Sequence, residues 1–374
     1  MTSSFGETLR LSLFGESHGP AVGCVIDAPP PGLPLDLDAV RRHLSRRRPG
    51  QAGAWSTPRR ETDEPEILSG FFEGRTTGTP LAAVIRNSDT RSGDYAALLR
   101  APRPGHGDLT GRIRYGGFND PRGGGHFSAR VTAGLCFAGA VALQALAARG
   151  VKVRARVLSV GGAADPTPVD PCGIFADVSA KPFPALSDDA AAAMVAEIES
   201  ARAAADSVGG VVEVRAEGMP PGVGAPFFDR VETHLGGMLF SLPAVRGVEF
   251  GDGFECARRR GSSNNDAPVP APGAAPDAQS RTGFAAGIRR ATNRAGGAEG
   301  GITTGMPVVA RVAFKPTPSI ASEQTTVDPA TNEPKTLRVP GRHDPCVVPR
   351  AVPLVESAAA FALWDMLLGA AAKA

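Results

Sequence analysis

Six histidines occur in 374 residues, and two of them sit in closely similar settings. His18 lies in Phe14-Gly15-Glu16-Ser17-His18-Gly19, and His106 in Arg103-Pro104-Gly105-His106-Gly107-Asp108. Neighbouring glycines let backbone approach a ligand and leave the imidazole accessible. Histidine is the side chain best suited to moving protons near neutral pH. A third, His343, stands in Gly341-Arg342-His343-Asp344-Pro345. Arginines share these neighbourhoods: Arg46, Arg47 and Arg48 before Pro49-Gly50, then Arg130 and Arg342. Arginine captures phosphate or carboxylate through two parallel N–H bonds, which lysine cannot match. The combination reads as acid–base chemistry on an anionic, phosphorylated substrate.

Each motif also has a plainer reading. A glycine-rich turn can carry a structural histidine, and basic residues ending a helix suit its dipole. Gly15-Glu16-Ser17-His18-Gly19 matches Gly-x-Ser-x-Gly as well, the nucleophile elbow of serine hydrolases, with Ser17 as nucleophile. An elbow follows several strands of an α/β sheet, whereas only Leu9 to Phe14 precedes this one. The serine hydrolase is the alternative reading. Gly123-Gly124-Gly125-His126-Phe127-Ser128-Ala129-Arg130 leads into an apolar segment, and free amides before a helix make an anion site. Asn293 to Ile302 is a second glycine-rich loop, and Lys315-Pro316-Thr317-Pro318-Ser319 sets a lysine beside two hydroxyls. No dinucleotide fingerprint, P-loop, zincin helix or EF-hand loop occurs.

The elements that must position these residues come in two similar sets. Val22 to Asp27, Pro30-Pro31-Gly32 and Asp38-Ala39-Val40-Arg41-Arg42-His43-Leu44 form one. Gly210 to Val214, Pro220-Pro221-Gly222 and Asp229-Arg230-Val231-Glu232-Thr233-His234-Leu235 form the other. Each reads as strand, turn and helix, with the aspartate as cap. Thr76-Thr77-Gly78 and Thr303-Thr304-Gly305 continue the match. The pseudo-repeats span about 8–95 and 208–320 of a single domain, 1–374. The second carries extra residues, and a polar, Pro-rich stretch at about 258–281 is expected to be a mobile loop. His43 and His234 match each other and read as structural. His18, His106 and His343 have no counterpart, so chemistry is expected there.

Long helices are expected at Ser128–Arg149, Asp188–Asp206 and Val352–Ala372. Strands do not alternate regularly with helices, so the expected fold is α+β, with mainly antiparallel sheets packed on helices. The net charge of +2 gives no sign of nucleic-acid or membrane-surface binding. Five scattered cysteines read as reduced thiols of a cytosol. The N-terminus has no signal-peptide pattern. The apolar run from Ala358 to Ala372 is short and broken by Asp365, so no membrane span is expected.

Taken in order, the first histidine motif, Arg47-Arg48-Pro49-Gly50-Gln51, Arg103-Pro104-Gly105-His106, the triple glycine, Gly300-Gly301-Ile302, Lys315-Pro316-Thr317 and Gly341 to Cys346 resemble the chorismate synthase family. The resemblance implies a β–α–β sandwich of two antiparallel sheets around central helices, assembled as a cytoplasmic homotetramer. It implies 1,4-elimination of phosphate from 5-enolpyruvylshikimate 3-phosphate, dependent on reduced FMN, with NADPH as a possible reductant. His18 would protonate the leaving phosphate. His106 would balance the charge of reduced flavin, and Asp344 would help take up the departing proton. Arg47, Arg48, Arg130 and Arg342 would bind substrate. FMN would contact Arg47, His126, Phe127, Ser128, Pro243, Ala244, Gly300, Lys315, Pro316, Thr317, Pro318, Ser319 and Arg342. This sequence departs from the family in two places. His126-Phe127 replaces Arg-Ser, and Ala52-Gly53-Ala54 stands where many members carry an arginine.

Overall fold

The computed structural model describes residues 3–48, 61–88, 100–270, 288–339 and 344–373. Strands β1 (Ser4–Phe5), β2 (Arg10–Gly15), β3 (Ala21–Asp27), β4 (Pro65–Ser69) and β5 (Leu81–Arg86) form an antiparallel sheet in the order β1-β2-β3-β5-β4. Strands β6 (Lys152–Val160), β7 (Ala163–Ala164), β8 (Gly210–Glu217), β9 (Val245–Phe250) and β10 (Val308–Phe314) form a second, ordered β7-β6-β8-β10-β9. The period-2 pattern decides which face is buried. Val22, Cys24 and Ile26 lie opposite Ile85, Ala83 and Leu81, and all six are buried. Val212, Val214 and Ala216 lie opposite Val312, Ala310 and Val308 in the same way.

The turns match in detail. Thr76 Oγ1 accepts the Leu33 N–H at 3.0 Å and donates to the Pro30 carbonyl at 2.6 Å. Thr303 Oγ1 accepts the Val223 N–H at 2.9 Å and donates to the Pro220 carbonyl at 2.6 Å. These bonds pin each Pro-Pro-Gly turn to the strand region that returns beside it.

Helices α1 (Leu37–Arg47), α3 (Thr132–Ala147), α5 (Val231–Phe240) and α6 (Val348–Lys373) pack between the sheets. Helix α2 (Asp108–Arg114) and helix α4 (Asp188–Ala203) lie outside this central layer. The result is the expected α+β sandwich. Helices α3 and α6 touch along their backbones. A Cβ on Gly139 would lie 2.1 Å from that of Ser357, so only glycine permits this approach.

Several local expectations differ. Asp36, not Asp38, caps α1, accepting the N–H groups of Asp38 and Ala39. Arg230 occupies the cap position of α5 without a side-chain bond to the helix amides, so Asp229 is not its cap. The last helix begins at Val348 and is 26 residues long. It and the segment 129–147 are long and apolar enough to cross a membrane, yet 83% of each such stretch is buried inside the fold. Asp365, which interrupts the apolar run, accepts the N–H groups of Glu7, Thr8 and Leu9. Part of the expected mobile loop is anchored. Pro268–Pro270 pairs with Ile288–Arg290, and Asp266 accepts from Thr292, Arg294 and Ala295. The rest of it, from 271, lies outside the described residues.

The two matching histidines both bond to α6. His43 Nε2 lies 2.8 Å from Ser357 Oγ, and His234 Nε2 lies 3.0 Å from Asp365 Oδ2. Burial pushes the His43 imidazole down to about 4, outweighing the opposite pull of Glu356. The unfolded chain takes up a proton below its ordinary value near 6.5, while the folded protein resists until about 4. Stability therefore falls as pH drops through that window, by roughly 3 kcal/mol in all. His43→Gln should flatten this dependence in urea unfolding at pH 7 and pH 4.5. An unaltered slope in the variant would assign the effect to another group.

Candidate active site

A cavity of about 980 Å³ opens where the C-terminal ends of α1 and β10 meet the N-terminal ends of α3 and α6. Arg47, Arg130, His106, Phe127, Ser128, Pro243, Ala244, Lys315, Thr317, Pro318, Ser319 and Asp344 all line it. Residues separated by nearly three hundred positions thus share one chamber.

His106 precedes α2, whose first turn supplies Asp108. His106 Nδ1 lies 2.7 Å from Asp108 Oδ1. Arg103 Nη2 lies 3.1 Å from the same Nδ1, so both polar contacts of the ring fall on Nδ1 and Nε2 is the nitrogen left for the chamber. Arg103 brackets the pair: Nε and Nη2 each donate to Asp108 at 2.8 Å, and Nη1 donates to Ser319 Oγ at 2.9 Å. Burial raises the Asp108 carboxyl, but the bonds from Arg103 and His106 outweigh it and hold the group below the usual carboxylate range. The arginine joins the histidine motif to the Lys315–Ser319 loop.

The triple glycine spaces two histidines. Gly123, Gly124 and Gly125 have φ of 60°, 83° and 52°, a run of left-handed residues that side chains resist. A Cβ on Gly123 would lie 2.7 Å from the His18 ring, and one on Gly124 would lie 3.2 Å from that of His106. The Gly125 carbonyl accepts the Ser17 N–H at 3.1 Å. His18 is buried and sits behind Gly123, which itself lines the cavity.

Arg47 is the last residue of α1, and Arg130 lies in the turn before α3. Both bond to Asp63, Arg47 from Nη1 to Oδ2 at 2.6 Å and Arg130 from Nη1 to Oδ1. Asp344 is held by Arg350 Nη1, and its backbone carbonyl accepts from Thr317 Oγ1 at 2.8 Å. Lys315 Nζ donates to the Gly105 carbonyl. Burial, and then the nearby Arg246, lower the tendency of Lys315 to hold its proton. Ala244 adopts φ +70° and accepts the Lys315 N–H at 2.9 Å.

Other expected site residues fall elsewhere. His126 turns to the first sheet, donating from Nδ1 to the Gly15 carbonyl at 2.9 Å and accepting from Ser3 Oγ at 3.1 Å. Gly300 sits in the tight turn between Ala298–Glu299 and Ile302–Thr303, away from the cavity. Pro316 and Arg48 do not line it either. Arg342 and His343 lie outside the described residues. Ser17 is buried, and among the described residues its hydroxyl has no hydrogen-bond partner. A hydrolase nucleophile needs both access and a bonded base, so the elbow reading has no support in this geometry.

A chorismate synthase family model matches residues 9–368. The chain belongs to the chorismate synthase family. It is 47% identical over 365 residues to a chorismate synthase of Korarchaeum cryptofilum, covering 97% of both chains. It is 46% identical to one from Thermococcus kodakarensis, again covering 97% of both. A solved crystal structure of chorismate synthase superposes with a TM-score of 0.71 at 29% identity, covering 97% of this chain and 93% of that one. Family membership removes the serine hydrolase alternative.

Sequence reasoning missed Glu61, Arg246 and Arg350, which line the cavity, and Asp63 beneath it. Glu61 and Asp63 stand in a polar stretch without glycine or histidine, so nothing local marked them. Arg350 follows Pro349 at the start of α6, where a cation opposes the helix dipole. That mismatch was a readable signal.

Proposed function

We propose that this chain eliminates phosphate from 5-enolpyruvylshikimate 3-phosphate to give chorismate, with reduced FMN bound in the cavity. The observation that carries the reading is the gathering of the His106–Asp108 pair, Arg47, Arg130, Lys315 and Asp344 around one chamber. The chamber suits a flavin beside a small substrate. Leu109, Phe127, Val347 and Leu354 give apolar wall, and Lys315 and Arg246 give cations. Held there, reduced FMN would supply transient electron density for phosphate departure, with no net redox change.

The protein's own groups do the rest. Arg47 and Arg130 receive anionic groups of the substrate, Arg48 and Arg342 being further substrate contacts in this reading. His18, one residue behind the cavity wall, gives its proton to the departing phosphate. His106 would offset negative charge on the bound reduced flavin. Asp344 takes up the ring proton. Lys315, Thr317, Pro318, Ser319, Pro243, Ala244, Ser128 and Phe127 would hold the flavin. We further read the molecule as one duplicated domain and as a cytoplasmic homotetramer. The matched strand order supports the first. Exposed Phe227, Phe228 and Phe254 are apolar surface that a subunit contact would cover.

Anaerobic turnover tests the reaction. Purified protein with chemically reduced FMN should form chorismate and release phosphate, and oxidised FMN should give neither. Replacing the chemical reductant with NADPH shows whether the chain reduces its own flavin. No product from folded, FMN-binding protein would reject the proposal.

A further inference from the structure

One buried carboxylate has no task in the reaction as described. Asp63 is 0% exposed and does not itself line the cavity. Its two oxygens serve different arginines, Oδ2 taking Arg47 and Oδ1 taking Arg130. Those arginines come from separate elements and both line the cavity. Each is also tied to backbone: Arg47 Nη2 donates to the Ala129 carbonyl at 3.2 Å, and Arg130 Nη2 to the Arg86 carbonyl at 3.0 Å. Asp63 has φ +48°, a left-handed backbone uncommon for a residue with a Cβ. Such a conformation persists where the surroundings over-determine it. Two guanidinium groups this close repel one another. Burial disfavours the Arg130 cation, Asp63 supports it, and Arg47 opposes it.

We propose that Asp63 is the positioning residue of the anion site, fixing the spacing and orientation of Arg47 and Arg130 so that their remaining N–H groups meet the substrate's anionic groups together. The substrate's identity rests on the proposed function, but the anion class does not. The proposal opposes a simple charge argument. If Asp63 acted by charge alone, removing it would tighten anion binding. If it acts by orientation, removal weakens binding. Asparagine separates the two, because it keeps one acceptor oxygen and turns an N–H donor toward the other arginine.

The test is equilibrium binding by calorimetry on the full-length wild type, Asp63→Asn and Asp63→Glu. The probes are inorganic phosphate and 5-enolpyruvylshikimate 3-phosphate. The asparagine variant should bind both anions about tenfold more weakly or worse, read well below its melting temperature, which should fall because two buried guanidinium groups lose their shared carboxylate. The glutamate variant keeps the charge but displaces it by a methylene, and should lose roughly threefold, a fraction of a charged hydrogen bond. The losses of Asp63→Asn and Arg47→Lys should not add in the double variant, since one acts through the other. Unchanged or tighter binding in Asp63→Asn overturns the proposal, as does wild-type protein that binds neither anion. If Asp63→Asn does not fold, Asp63→Glu decides: wild-type affinity there overturns it, and weaker binding sustains it. A wild type that binds phosphate but gives no chorismate would reject the reaction while leaving the Asp63 result readable.

Discussion

Replacing His106 with alanine should lower kcat by about 10²–10⁴-fold, the usual worth of a positioned acid–base group. The fold should survive, because His106 stands in a loop before α2 rather than in the core. Its environment is built around the imidazole. Asp108 fixes Nδ1, Arg103 braces Asp108, and Ser319 braces Arg103. Asp108→Asn keeps the ring in place but replaces an acceptor with an ambiguous amide. It should therefore cost less than removing the ring, and it should shift the pH–rate profile, which the alanine variant cannot do. Anaerobic single-turnover measurements across pH, with circular dichroism as the control for folding, test both. Near-normal turnover in His106→Ala would remove this residue from the mechanism.

His18→Ala should be similarly damaging, and Gly123→Ala should reproduce much of that loss without touching His18. A methyl on Gly123 would lie 2.7 Å from Cε1 and Nδ1 of His18 and 2.8 Å from Ser17 Oγ. It would also sit on a residue with φ +60°, so both backbone and imidazole must move. A loss of about 10²-fold is expected from the displaced proton donor. The double variant should be little worse than His18→Ala, since the two changes act through one side chain. Additive losses would mean that Gly123 matters for another reason, such as the shape of the cavity wall. A fully active His18→Ala would sink the assignment of the phosphate's proton donor.

The sequence was most legible where geometry imposes residue type. β-Branched, apolar runs at 22–26 and 81–85 mark strands. The helix that α3 becomes was visible as an apolar run, and the triple glycine before it was conspicuous. The same run also threads between two imidazoles, which only the tertiary structure reveals. Lys315, Pro243 and Ala244 reached the cavity as the resemblance implied. His126 did not, because its ring finds bonding partners on Gly15 and Ser3. Asp63 was invisible for a different reason. A lone aspartate among surface-like neighbours carries no periodic or motif signal, and its partners lie 16 and 67 residues away. The aspartate caps were misplaced by small offsets because several polar residues near a helix start compete for that role.

The matched wiring of the two sheets bears on how such a site could come to exist. Two identical half-chains could pair about a twofold axis and build both sheets, but every side chain near one cleft would then recur at its twin. The cavity described above is not of that kind. Its charged and titratable groups differ between the halves of the chain, with His106 and Arg130 from the first and Lys315 and Asp344 from the second. A single covalent chain frees its two sheets from mirroring each other, so one cleft can specialise. Asymmetry, rather than any one residue, is what a single covalent chain makes available.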